Sequence, residues 1–133
     1  MGEILATLQI ATPGRRDIAV DVTVLIDTGS HHTVIQPSIA RRLALPLDRP
    51  AVLYTAAGEE IPGDFAIGDV RILPFRWHPK QDLFVPRQPY HESPVHDHRT
   101  GATKHPEGLL GASLLQAGGY LLDFKRHRVA RSG

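Results

Sequence analysis

A chain of 133 residues with a net charge of +1 can bury one core but not two packed lobes, and its near-neutral balance gives no reason to expect nucleic acid as main partner. Hydrophobic residues make up 41% and stand among 12 Gly and 11 Pro, which argues against a disordered chain and for a turn-rich β protein. The lack of cysteine excludes disulfides and a thiolate nucleophile and leaves the redox compartment open.

Met1-Gly2-Glu3-Ile4-Leu5 reads straight into a strand without a basic-plus-apolar leader, and no run reaches membrane-spanning length. The expectation is a cytoplasmic protein with no membrane partner. Ile4, Ala6, Leu8 and Ile10 alternate with more polar neighbours, Thr12 to Asp17 breaks the pattern, and alternation resumes at Ile18, which predicts a β-hairpin. Its second strand, Val20 to Ile26, ends at Asp27-Thr28-Gly29-Ser30. Here a buried strand delivers one carboxylate to a tight turn, and Gly29 lets backbone approach closely. Thr28 can hydrogen-bond across a symmetry axis and Ser30 can steady the carboxylate. The tetrapeptide therefore points to half of an aspartic protease site, with Asp27, Thr28, Gly29 and Ser30 as its catalytic candidates.

Thr33-Val34-Ile35 is strand-like; Pro37 then opens a helix of about two turns, with Ile39, Ala40 and Leu43 apolar, stopped by Pro46. Val52 to Ala56, the turn Ala57-Gly58-Glu59-Glu60 and the run through Phe65, Ile67, Val70 and Ile72 predict a long projecting hairpin. From Pro74 to Gly108 the pattern dissolves into Pro, His and charge, with only Asp82-Leu83-Phe84-Val85 strand-like, so 74–108 reads as an inserted loop in a single domain, 1–133. Order returns at Gly108 to Leu115 and in the strand Tyr120 to Phe124.

One Asp-Thr-Gly turn supplies one carboxylate, and acid-base catalysis by a carboxylate pair needs two, so a homodimer is expected and no metal or other cofactor is required. Eight histidines invite a metal reading. His91, His96, His98 and His105 with Asp97 are usable zinc or nickel ligands, but without cysteine or fixed helical spacing they read as solvated loop side chains. Lys125-Arg126-His127-Arg128 with Arg131 reads as a solvated strand edge rather than a nucleic-acid patch.

The order of these landmarks resembles the retroviral-type (retropepsin-like) aspartic proteases, single-domain bacterial relatives in particular. It rests on Leu25-Ile26-Asp27-Thr28-Gly29-Ser30, Thr33-Val34-Ile35, a Gly-containing hairpin in the place of the flap, Leu109-Leu110-Gly111 and a final strand. The resemblance implies an all-β, closed barrel-like fold with one or two short helices and a flap hairpin, and a homodimer that cleaves extended peptides. It implies substrate contacts from the flap, at Ala57, Gly58 and Tyr54, and from His31 beside Ser30. A plain hairpin turn and a half-buried strand tyrosine are the simpler readings of Gly58 and Tyr54. His31 and Ala112 stand where retroviral relatives commonly carry a paired Asp and Arg, which removes one support of the dimer. Association is then expected from strand pairing by Ile4 to Ile10 and Tyr120 to Val129. The rival reading is a catalytically inactive module of this fold that dimerises or binds peptide.

Overall fold

The computed structural model describes residues 3–89 and 93–131. β1 (Leu5–Ala11) and β2 (Val20–Ile26) form the first hairpin, joined by a single 3₁₀ turn at Arg16–Ile18. β3 (Thr33–Ile35), α1 (Pro37–Leu43), β4 (Leu47–Tyr54), β5 (Glu60–Ile72) and β6 (His78–Pro86) follow. The chain then forms β7 (Val95–His96), β8 (Thr103–Lys104), β9 (Gly108–Leu110), α2 (Ala112–Gly118), β10 (Tyr120–Asp123) and β11 (Arg128–Arg131).

Six strands close on themselves in the order β1-β2-β9-β3-β6-β5, because β1 pairs with β5 as well as with β2, and β4 hangs on the outside of β5. Closure follows from the length of β5. Its 13 residues serve two partners in turn, the first half pairing with β4 in the projecting hairpin and the last residues, Asp69 to Ile72, pairing with Ala11 to Leu8 of β1. The expected all-β closed barrel with a flap hairpin and two short helices is what the chain forms.

Alternation sets the inside of the barrel. Leu8, Ile10, Val22 and Val24 project inward from the first hairpin and meet Ile35, Val70, Ile72, Leu83 and Leu110, all at most 1% exposed. Each such side chain stabilises the fold by about 1.5–3 kcal/mol. α1 closes one end with Ile39, Ala40 and Leu43; Pro37 sits at its start, and Ala44 ends it in the left-handed region at φ 49°. A smaller cluster, Val34, Phe65 and Phe84 with Leu53, Ile61 and Leu109 against it, lies between the barrel and the flap hairpin.

Residues 74–108, expected as mostly an inserted loop, instead hold a central barrel strand and the small β7–β8 hairpin. β6 lies between β3 and β5, parallel to β3 (Thr33 opposite Leu83) and antiparallel to β5. Its polarity hid it: only Leu83 to Pro86 are buried in a run, whereas Pro79, Lys80 and Asp82 are exposed. The expected pairing of Ile4 to Ile10 with a second copy is narrowed to the start of β1. Leu5 to Ile10 pair with β2, and Leu8 to Ala11 are taken on the other side by β5.

A buried polar pair ties the C-terminal hairpin to the barrel. His78 Nε2 lies 2.8 Å from the Tyr120 hydroxyl, and both residues are buried. Burial, then the nearby Arg76 and Arg131, holds the His78 imidazole below its ordinary value of 6.5, while burial raises the Tyr120 phenol above 10.0. The unfolded chain therefore takes up a proton that folded His78 refuses, so this contribution to stability is whole above 6.5 and declines as pH falls below it. Urea midpoints should drop between about pH 6.5 and pH 5, and His78→Phe, less stable throughout because Tyr120 loses its partner, should show a shallower drop. Equal slopes for the two proteins would refute this origin.

Candidate active site

Asp27 follows the last residue of β2, where the strand leaves the barrel wall. Its own N–H donates to Leu110 O at 3.0 Å, continuing the parallel β2–β9 ladder by one bond beyond Ile26 opposite Leu110. One carboxylate oxygen, Oδ1, accepts the Gly29 N–H at 3.0 Å, and Ser30 N–H donates to Asp27 O at 3.1 Å, so the turn is closed around the side chain. Ser30 Oγ donates to His32 O at 2.8 Å and not to the carboxylate. Its support of Asp27 runs through the backbone.

The segment after β9 straps this turn in place. Ala112 N–H donates to Ser30 O at 2.8 Å and Ser113 N–H to His31 O at 3.0 Å, while Gly111 N–H donates to the hydroxyl of Thr33, which is 2% exposed. Gly111 is required by space: a Cβ there would lie 2.4 Å from His32 O. Gly111→Ala should therefore push the strap off the Asp27 turn, at a cost of about 1–3 kcal/mol. The checks are a lower thermal midpoint and faster amide exchange at Ala112 and Ser113; an unchanged midpoint would refute the close approach.

The strapped turn opens on a cleft of about 420 Å³ between it and the flap hairpin. Asp27, Gly29 and Ser30 line one side and Tyr54, Thr55 and Ala56 the other, with Val34, Leu53, Ile61, Phe84, Pro86 and Leu109 between them. Asp27 is the one carboxyl group among these lining residues. Thr28 faces the opposite way, into a hollow formed with Ala112, Leu115, Gln116 and Tyr120 to Leu122. Ala57 and Gly58 form the exposed hairpin tip, where Gly58 takes φ +83° and its N–H donates to Thr55 O at 2.9 Å, and they do not line the cleft. His31 does not line it either. Its ring packs against His32 at 4.8 Å, and His32 in turn packs on Phe65 at 4.7 Å.

The apolar wall was not legible as a site. Leu53, Ile61, Phe84 and Leu109 look like ordinary strand residues in the sequence, and Pro86 stands in the stretch read as a loop. The signal that could have found them is the position of Leu53 and Ile61, one residue before Tyr54 and one after Glu60 at the ends of the hairpin turn region, on strands whose register pairs them directly. Of the loop histidines, His96 meets His98 edge-to-face at 4.8 Å, His98 stacks on His127 of the β10–β11 turn at 4.2 Å, and His91 lies outside the described residues. Among the described residues no three ligand side chains are grouped so as to hold a metal ion. No helix among them is long and apolar enough to cross a membrane.

Comparison with known proteins places this geometry. A protein family described as aspartyl protease matches residues 14–114. No curated protein matches the chain. Among solved structures, the EIAV protease in complex with the inhibitor HBY-793 superposes with a TM-score of 0.56 at 16% identity, covering 86% of each chain. The retroviral protease-like domain of Ddi1 from Leishmania major gives 0.55 at 11% identity over 98% of this chain and 90% of that one. A retropepsin-like aspartic protease from Rickettsia conorii gives 0.50 at 17% identity over 92% and 85%. At these identities the structures establish a shared fold.

Proposed function

The chain belongs to the aspartyl protease family, and on that premise we propose that it is an aspartic endopeptidase whose active unit is a homodimer with two Asp27 carboxyls in one site. The observation that carries the reading is the single carboxyl of Asp27, held by the Gly29 N–H on a strapped turn at the floor of an otherwise apolar cleft. Two such groups face to face cannot both ionise cheaply, so the pair holds one proton. The ionised member takes a proton from a bridging water as that water attacks the peptide carbonyl, and the protonated member donates to the carbonyl oxygen. Gly29 and Ser30 hold the carboxyl in place. Tyr54 contacts the substrate, which lies as an extended strand with apolar side chains against Leu53, Ile61 and Phe84, while Ala57, Gly58 and His31 stay outside the cleft lining.

The second copy docks against the Thr28 side of the turn and brings its own Asp27 to the mouth of the cleft. Thr28 and Leu121, the latter 55% exposed, flank the hollow beside α2 and β10, and β10 pairs only with β11, which leaves its other edge free of any strand among the described residues. The test is digestion of a peptide mixture with cleavage sites read by mass spectrometry across pH. The expected result is cleavage beside apolar residues with a bell-shaped rate profile on the acid side of neutrality, its two limbs belonging to the pair. A profile flat from mildly acidic to strongly alkaline pH would rule out a shared proton.

A further inference from the structure

A concavity of about 560 Å³ shares no lining residue with the Asp27 cleft. It runs between the start of β1, the turn at 72–75 and β11. All four residues of β11, Arg128 to Arg131, line it. A strand presents alternate residues to a face, so four in succession mean that the groove follows the strand's edge. β11 pairs only with β10, and no other strand among the described residues takes up the N–H and C=O groups of its outer edge. Such an edge is a template for another extended segment.

Charge selects what that segment is. Arg99, Arg128 and Arg131 line the groove, and no carboxylate does. Two of the three are partly balanced from behind: Arg128 Nε lies 3.5 Å from Asp123, which also accepts from Arg126, and Arg99 Nε lies 3.9 Å from Asp97, so the unbalanced charge is centred on Arg131. Arg131 forms no ion pair among the described residues, and its charge reaches the buried His78–Tyr120 pair. Three guanidiniums around a concave wall concentrate a positive potential that repels a second copy of the same basic edge and attracts an acidic one. The floor, Leu5, Ile72 and Val129, is apolar, which suits alternate aliphatic side chains.

We propose that this groove is a peptide-binding site separate from the catalytic cleft, which takes an extended acidic segment as an added strand on the outer edge of β11. Its carboxylates pair with Arg99, Arg128 and Arg131, its main chain with the free strand edge, and its apolar side chains with the floor. This proposal stands whether or not the Asp27 site cleaves peptides.

The test is fluorescence anisotropy at low salt with a labelled short peptide of alternating Glu and Val, titrated with Asp27→Asn protein so that no probe is cut. Two control peptides carry Gln for Glu, or N-methyl groups at alternate backbone positions. The acidic peptide should bind, with the Gln peptide and the triple variant Arg99→Ala, Arg128→Ala, Arg131→Ala each weakening binding about tenfold. The N-methylated peptide should bind more weakly too. Gln and Glu peptides of equal affinity, an N-methylated peptide that binds as well as the parent, or a single-stranded oligonucleotide that binds more tightly would each overturn the proposal. The peptide comparisons decide the matter on unaltered groove residues even where the triple variant fails to fold.

Discussion

Asp27→Asn is expected to lower peptide cleavage by about 10⁴-fold while leaving the fold intact. The asparagine is nearly isosteric, and its Oδ1 can still accept the Gly29 N–H that the carboxylate accepts at 3.0 Å. The backbone bonds that strap the turn, Asp27 N–H to Leu110 O and Ala112 N–H to Ser30 O, do not involve the side chain. What is lost is the group that accepts the water's proton, and no other carboxyl lines the cleft to replace it. The measurement is kcat/KM for the variant beside circular dichroism and sedimentation of the same preparation. Cleavage that persists at the parental rate in folded Asp27→Asn protein would remove Asp27 from the chemistry, whereas a folded parent protein that cleaves nothing would leave the inactive-module reading in its place.

The parts of this architecture that came through in the sequence are those whose local pattern and tertiary role agree. β1 and β2 alternate because one face is buried in the barrel, and Pro37 and Pro46 bracket α1 because proline favours a helix start and opposes its continuation. Asp27-Thr28-Gly29-Ser30 was legible because a strand end, a carboxylate and a glycine fall in succession. β6 was not. Half of it lies on an exposed stretch with Pro79, Lys80 and Asp82, so its period-2 signal is broken, and its place between β3 and β5 is fixed by pairing partners far away in sequence. The same long-range closure explains the misplaced role of Ile4 to Ile10: nothing local says that β5 will reach back to cover β1. The cleft followed this division. Its carboxyl came from a motif, while its wall came from Phe84, Leu53 and Ile61, which share no local signal and meet only after the barrel has closed.

The same closure decides how activity should depend on association. With Leu8 to Ala11 of β1 covered on both sides, the surfaces left for a second copy are the start of β1, the hollow beside Thr28 and the free edge of β10. Leu121, 55% exposed on β10, lines the hollow beside Thr28 and is the apolar side chain that the proposed second copy would cover. Leu121→Asp should therefore leave the monomer folded, since the side chain lies outside the core, but abolish association and with it cleavage, by setting two carboxylates against one another across the two-fold axis. Wild-type specific activity should fall on dilution as the dimer dissociates. Adding a tenfold excess of Asp27→Asn chains should inhibit more sharply than dilution, because random exchange leaves only about a tenth of wild-type chains paired with one another. Sedimentation and activity followed over one dilution series decide between the alternatives: a Leu121→Asp protein that sediments as a monomer and still cleaves peptide at the parental rate would mean that one Asp27 suffices, and the paired-carboxyl mechanism would fall.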